Sequence, residues 1–158
     1  MRPKVAVDIC NTLADINKIL KSLGYDTESY GGVPNDFFEN NLWVFSEAEP
    51  IKYSKECLCK LAESCDIVYL TARPKVAESV TREWLLKNGF PYGELVFSAN
   101  KAKDFKENQC IFAIDDAPFE VENYRKSDCL VMVPKQPYNN TLGDVFKWEE
   151  WANVLQVS

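Results

Sequence analysis

A chain of 158 residues, 46% of them hydrophobic, is long enough to bury one core and too short for two ordinary domains, so a single domain over residues 1–158 is expected. Its 24 acidic against 18 basic side chains leave a net charge of −6, which repels polyanions and disfavours nucleic acid and anionic membrane surfaces as partners. There is no histidine, which excludes Ser-His-Asp and Cys-His catalysis, histidine metal ligation and phosphohistidine chemistry, and leaves carboxylates, lysines and thiols to act.

Taken in chain order, Met1-Arg2-Pro3-Lys4 leads into only three apolar residues before Asp8, with no secretory or spanning segment, so a soluble cytoplasmic protein is expected. Val5-Ala6-Val7 reads as a buried first strand. The stretch from about 15 to 50 is too long for a simple crossover and reads as an inserted cap. A helix begins at Ile16, capped by Asp15 and ended by Gly24; Tyr25, Tyr30, Phe37, Phe38, Trp43 and Phe45 then suit a small lid with its own core. Ile67-Val68-Tyr69-Leu70 is the next strand, followed by Pro74 at a first helical position, an amphipathic run through Val76, Val80 and Trp84, and Gly89 as the stop. Leu95-Val96-Phe97, Ile111-Phe112-Ala113-Ile114 and Leu130-Val131-Met132-Val133 complete the strands, and Trp148 and Trp151 mark a last helix against the sheet. The alternation predicts an α/β, Rossmann-like parallel sheet flanked by helices. The six cysteines are expected as free thiols. Cys57 and Cys59 stand two apart in a helix and face different sides, which speaks against a thiolate metal site with Cys65.

In an open parallel sheet, ligands bind beyond the carboxyl ends of the strands. Asp8, Thr71, Ser98 and the Asp115-Asp116 pair follow four different strands, so all are delivered to one crevice. Asp8-Ile9-Cys10-Asn11-Thr12-Leu13 resembles the Asp-x-Asp-Gly-Thr-Leu signature of haloacid-dehalogenase phosphohydrolases, and Leu70-Thr71-Ala72-Arg73, Lys101 and Ile114-Asp115-Asp116 resemble the remaining motifs in order. The inserted cap, the Thr71-Ala72-Arg73-Pro74 run and Pro134-Lys135-Gln136-Pro137-Tyr138-Asn139 look most like the 5′(3′)-deoxyribonucleotidase branch.

The resemblance implies a haloacid-dehalogenase fold and a magnesium-dependent phosphatase acting on a nucleoside monophosphate or a similar small phosphorylated metabolite. Asp8 would attack phosphorus and carry an aspartyl phosphate. Asp8, Asp115, the Cys10 carbonyl and, from one step back, Asp116 would hold Mg²⁺. Thr71, Ala72 and Lys101 would hold the phosphoryl group, and Phe37, Phe38 or Trp43 of the lid would stack on a base. Thr71 and Asp116 are also good residues for capping the helices that follow them. Lys103 and Lys106 lie near enough to Lys101 to compete for its role.

The family has a second aspartate, the general acid and base, where this chain has Cys10. A positioned acid contributes typically 10²–10⁴-fold, and a thiol near an ordinary pKa of ~8.5 replaces it poorly, so slow turnover of ordinary phosphomonoesters is expected. Asn11, in place of the family's glycine, tolerates the left-handed backbone of such a loop. Two other readings stay open: a catalytically impaired relative that binds a phosphorylated ligand, and a polynucleotide 3′-phosphatase, against which the acidity counts.

Overall fold

The computed structural model describes residues 1–157; Ser158, the last residue of the expected domain, lies outside the described residues. Six strands, β1 (Lys4–Val7), β2 (Asp66–Thr71), β3 (Gly93–Phe97), β4 (Cys110–Ile114), β5 (Val131–Pro134) and β6 (Val145–Phe146), form one parallel sheet in the order β3-β2-β1-β4-β5-β6. The chain starts at the centre, builds outward through β2 and β3, then returns to lay β4, β5 and β6 on the other side. The order reverses between β1 and β4, and the crevice for a ligand opens at their carboxyl ends.

Side chains alternate across the strands and feed two cores. Val5, Val7, Ile67, Tyr69 and Ile114 face α4 (Ser54–Leu61), α5 (Glu78–Lys87) and α8 (Trp148–Leu155), which contribute Leu58, Trp84, Leu85 and Trp148. Ala6, Val68, Leu70 and Ala113 face α6 (Lys101–Glu107) and α7 (Pro118–Lys126), which contribute Ala102, Phe105, Val121 and Tyr124. Central strands buried on both faces read as continuous apolar runs, which is why they were visible in the sequence. At the start of β3 the backbone presses so closely on β2 that a Cβ on Gly93 would lie 2.5 Å from the Ile67 carbonyl oxygen.

Between β1 and α4 lies the inserted cap, with α1 (Ile16–Ser22), α2 (Phe37–Asn40) and α3 (Trp43–Glu47). The Asp15 side chain accepts the Lys18 N–H at 3.1 Å and caps α1, and Gly24 leaves the helix at φ +89°. Tyr25, Phe37, Phe38 and Phe45 form a chain of ring contacts with centroids 5.1 to 5.2 Å apart, the expected mini-core. The Trp84 indole donates to the Ala48 carbonyl at 2.8 Å and ties α5 to the end of α3.

Three local expectations change. Pro74 is extended, and a 3-10 turn at Lys75–Ala77 precedes α5, so the buried face runs through Ala77, Thr81, Trp84 and Leu85 while Val76 is exposed. Helical spacing counted from Ala77 fits the sheet; counted from Val76 it does not. The fifth strand is shifted by one residue to end on Pro134, leaving Leu130 exposed. All six cysteines are free thiols, and no helix among the described residues is long and apolar enough to cross a membrane.

Candidate active site

Asp8 leaves β1 with its N–H donated to the Ile114 carbonyl at 2.9 Å, so the ends of β1 and β4 are locked side by side. The chain then turns back sharply: Leu13 and Ala14 donate to the Ile9 carbonyl, and Asn11 takes the turn at φ +59°. One neighbouring and two distant residues brace this turn. The Asn11 carboxamide oxygen accepts the Asn17 N–H at 2.8 Å, the Gln136 amide donates to the Asn11 carbonyl at 2.9 Å, and the Trp148 indole donates to the Thr12 carbonyl at 2.8 Å.

One buried lysine joins the acidic groups. Lys101 opens α6, whose start is capped by the Asn100 side chain, and its Nζ donates to Asp8 Oδ1 at 2.9 Å and Asp115 Oδ2 at 2.7 Å, with Glu120 at 3.4 Å. Lys103 is exposed and pairs with Glu107 on the surface, which settles which lysine belongs to the cluster. Asp8, Asp115 and Asp116 bring carboxylate oxygens within 4.8 Å of one another. The Thr12 hydroxyl bridges Asp8 Oδ2 at 3.0 Å and Asp116 Oδ1 at 3.1 Å. Tyr138 donates its hydroxyl to Asp116 Oδ2, and the Asn139 amide holds the Asp116 carbonyl at 3.0 Å. Asp116 does not cap α7, which starts after Ala117 without a side-chain cap.

Crowded negative charge leaves its mark on protonation. Burial, then the Asp8 charge, push the Asp115 carboxyl up to about 7 against the pull of Lys101. Burial and the Asp8 and Asp115 charges hold Asp116 well above the usual carboxylate range. Burial works to lower Lys101, but Asp115, Asp8 and Glu120 together outweigh it and keep the ammonium charged. Three buried carboxylates with one lysine between them form an all-oxygen, electron-rich donor set that fits a hard divalent cation such as Mg²⁺.

A cavity of about 560 Å³ opens over this cluster, bordered by Asp8, Cys10, Thr71, Ala72, Lys101, Asp115 and Asp116 among others. Thr71 is buried, and its hydroxyl oxygen accepts the Arg73 N–H at 3.1 Å; it forms a local turn and does not cap a helix. Ser98 borders the cavity with its hydroxyl committed to Asp104. Burial, the largest influence, and the nearby Asp8 charge push the Cys10 thiol up, while Arg73 pulls it down without prevailing.

The lid residues divide. Phe38 borders the cavity, but Phe37 turns into the cap's core between Tyr25 and Phe38, and Trp43 is half exposed with its indole on Asn41 Oδ1 at 3.2 Å. Short helices have too little periodicity to show which ring faces inward. Tyr30 and Phe45 border the cavity in their place, Tyr30 edge-on to Tyr138 at 5.3 Å. Glu120, Thr12, Arg73 and Tyr138 were not singled out in the sequence, although the last three lie inside quoted motifs.

Residues 35–158 match the family model described as 5′ nucleotidase, deoxy (pyrimidine), cytosolic type C protein, a stretch that carries Thr71, Lys101, Asp115 and Asp116 and begins after Asp8. A Bacillus cereus protein with the provisional name nucleotidase is 25% identical over 164 residues, spanning 99% of this chain and 85% of its own. Among solved structures, a haloacid dehalogenase-like family hydrolase from Streptococcus pneumoniae is similar with a TM-score of 0.65 at 15% identity, over 98% of this chain and 99% of its own. A haloacid-dehalogenase family enzyme from Bacteroides thetaiotaomicron, solved with magnesium and inorganic phosphate, is similar with a TM-score of 0.52 at 14% identity, over 90% and 98% of the two chains. These likenesses show the haloacid-dehalogenase type of α/β fold.

Proposed function

This chain belongs to the cytosolic type C 5′-nucleotidase family of haloacid-dehalogenase phosphohydrolases, and from that premise we propose that it removes phosphate from nucleoside monophosphates through an aspartyl phosphate on Asp8. The observation that carries the reading is Lys101, one buried ammonium donating at once to the candidate nucleophile Asp8 and to Asp115, two carboxylates from different strand ends.

Each side chain has a task in the reaction. Asp8 attacks phosphorus through an oxygen that Lys101 or Thr12 orients, and the ester oxygen leaves on the opposite side. Lys101 stabilises charge on the transferring group, and the Thr71 hydroxyl, which only accepts from the protein, keeps its proton to donate to a phosphoryl oxygen. Ala72 borders the same place. Asp8, Asp115 and the Cys10 carbonyl, with Asp116 supporting, would hold Mg²⁺, which would supply neutralisation of phosphate charge. Phe38, with Tyr30 and Phe45, forms the apolar wall where a base rests. The cap at about 15–50 and the sheet work as one domain, acting in the cytoplasm on small phosphorylated substrates.

Cys10 shapes the rate. Its raised pKa keeps the thiol protonated at neutral pH, so it supplies no base and only a weak acid. Ordinary nucleoside monophosphates turn over slowly, and esters with acidic leaving groups suffer less. The test is phosphate release from a panel of nucleoside monophosphates and one aryl phosphate, in Mg²⁺ and in chelator, for the native chain and Asp8→Asn. Magnesium-dependent release that Asp8→Asn abolishes is expected. Release that survives Asp8→Asn would refute the mechanism, and a nucleoside monophosphate cleaved faster than the aryl ester would refute the account of Cys10. No release beside intact phosphate binding would turn the reading to a binding protein.

A further inference from the structure

Arg73 is a buried cation with which no carboxylate among the described residues pairs. It is 6% exposed, yet its hydrogen bonds go to neutral acceptors, Nε to Cys10 Sγ at 3.1 Å and Nη1 to Thr81 Oγ1 at 2.8 Å. Among the described residues no carboxylate pairs with it, whereas Lys101, equally buried, has three. Its Nη2 is enclosed and has no hydrogen-bond partner, the one such side-chain nitrogen or oxygen among the described residues. Phe45 of the cap covers the guanidinium with its ring centre 3.9 Å away. Buried donors, and charged ones above all, are costly to leave unused, and a protein that keeps one in a ligand cavity keeps it for a partner the ligand brings.

The place of Arg73 says which partner. It borders the same cavity as Asp8 and Thr71, and its side chain lies against the sulfur of residue 10, the position where the resemblance puts the leaving-group acid. We infer that Arg73 meets the departing oxygen of the phosphoester, so that a fixed positive charge takes over the task residue 10 cannot perform by giving a proton. The inference rests on the phosphatase reading and deepens it: the preferred substrates are phosphomonoesters whose leaving group is stable as an oxyanion. As the bond from Asp8 oxygen to phosphorus forms, the bond from phosphorus to the leaving oxygen breaks and its electron pair stays on that oxygen. The oxyanion departs beside the guanidinium, which keeps its own protons, and takes a proton from water afterwards. The ring that covers the guanidinium belongs to the cap, so reaching the unused donor requires that ring to move aside.

The experiment compares the native chain with Arg73→Gln and Arg73→Lys across phosphoesters of a nitrophenol, a phenol and a simple alcohol, following one turnover in Mg²⁺ and measuring inorganic phosphate affinity by competition. Loss of a charge-stabilising donor costs typically 10²–10³-fold. Arg73→Gln therefore slows the alcohol ester by about 10²–10³-fold, the nitrophenyl ester by less than about tenfold, and leaves phosphate affinity unchanged. Arg73→Lys, which keeps the charge, restores part of the alcohol-ester rate and guards against a merely misfolded variant. An equal loss on all three esters with weakened phosphate binding makes Arg73 a phosphate ligand and overturns the inference. An unchanged dependence on leaving-group acidity in an active enzyme overturns it alone, and a native chain that cleaves none of the esters overturns it together with the phosphatase reading.

Discussion

In the presence of chelator, the stability of this protein falls as pH rises through the window in which Asp115 titrates. Burial and the Asp8 charge hold its native carboxyl up to about 7, against an ordinary value of 3.8. Below that ordinary value both native and unfolded states carry the proton and the group contributes nothing. Between the two values the native state keeps a proton that the unfolded chain has lost, so stability drops by about 1.4 kcal/mol per pH unit. Across the window the loss is roughly 4 kcal/mol, complete once pH passes the native value. Asp116, pushed upward by burial and by Asp8 and Asp115, adds to the fall. The groups facing Asp115 are Asp8, Lys101, Glu120, Asp116 and Tyr124, and of these only Lys101 opposes the trend. A divalent cation takes the place of the proton, so Mg²⁺ stabilises the fold more at pH 8 than at pH 5. Urea unfolding at a series of pH values, in chelator and in Mg²⁺, measures both effects. Asp115→Asn flattens the chelator profile by about one proton's worth of slope. A native profile that is flat or rising between pH 5 and 7, or one that Asp115→Asn leaves unaltered, would refute the reasoning.

Other outcomes follow from single contacts. Lys101→Met abolishes phosphate release and, by leaving buried carboxylates unpaired, costs about 3–5 kcal/mol in urea unfolding, whereas Lys103→Ala, on the exposed side of the same helix, changes neither. Gly93→Ala places a Cβ 2.5 Å from the Ile67 carbonyl oxygen and 2.9 Å from a Tyr69 ring carbon, so β3 must move, at about 1–3 kcal/mol and a melting temperature lower by several degrees. Trp84→Phe strands the Ala48 carbonyl that the indole serves at 2.8 Å, and calorimetry reads a loss on the order of 1–3 kcal/mol. Phe38→Ala raises KM for a nucleoside monophosphate but not for a small aryl phosphate, and Trp43→Ala, away from the cavity, leaves both unchanged.

The parts of the site carried by sheet geometry were legible in the chain, because a short apolar run that ends on Asp8, Thr71 or Asp115 already says at which edge of the sheet the polar group emerges. The choice among Lys101, Lys103 and Lys106 was not, since it turns on the Asn100 cap, which aims the first residue of α6 into the cleft and the third away from it. The cap resisted for a different reason. Its helices are one turn or two, so Phe37, Phe38, Trp43 and Phe45 offer no repeat from which an inward face can be read. Arg73 stood inside a quoted motif without declaring itself, because its meaning lies in Cys10, 63 residues away, and in a ring of the cap.

The turn after Asp8 is braced by Gln136 and Trp148, and Asp116 by Tyr138 and Asn139. During synthesis the turn's local contacts can form early, but the two from Gln136 and Trp148, 125 and 136 residues further along, have to wait for those residues to emerge. A nascent chain holding all four signature motifs is still without a finished cleft. Truncation before Gln136 removes all four of these contacts while leaving each signature residue in the chain.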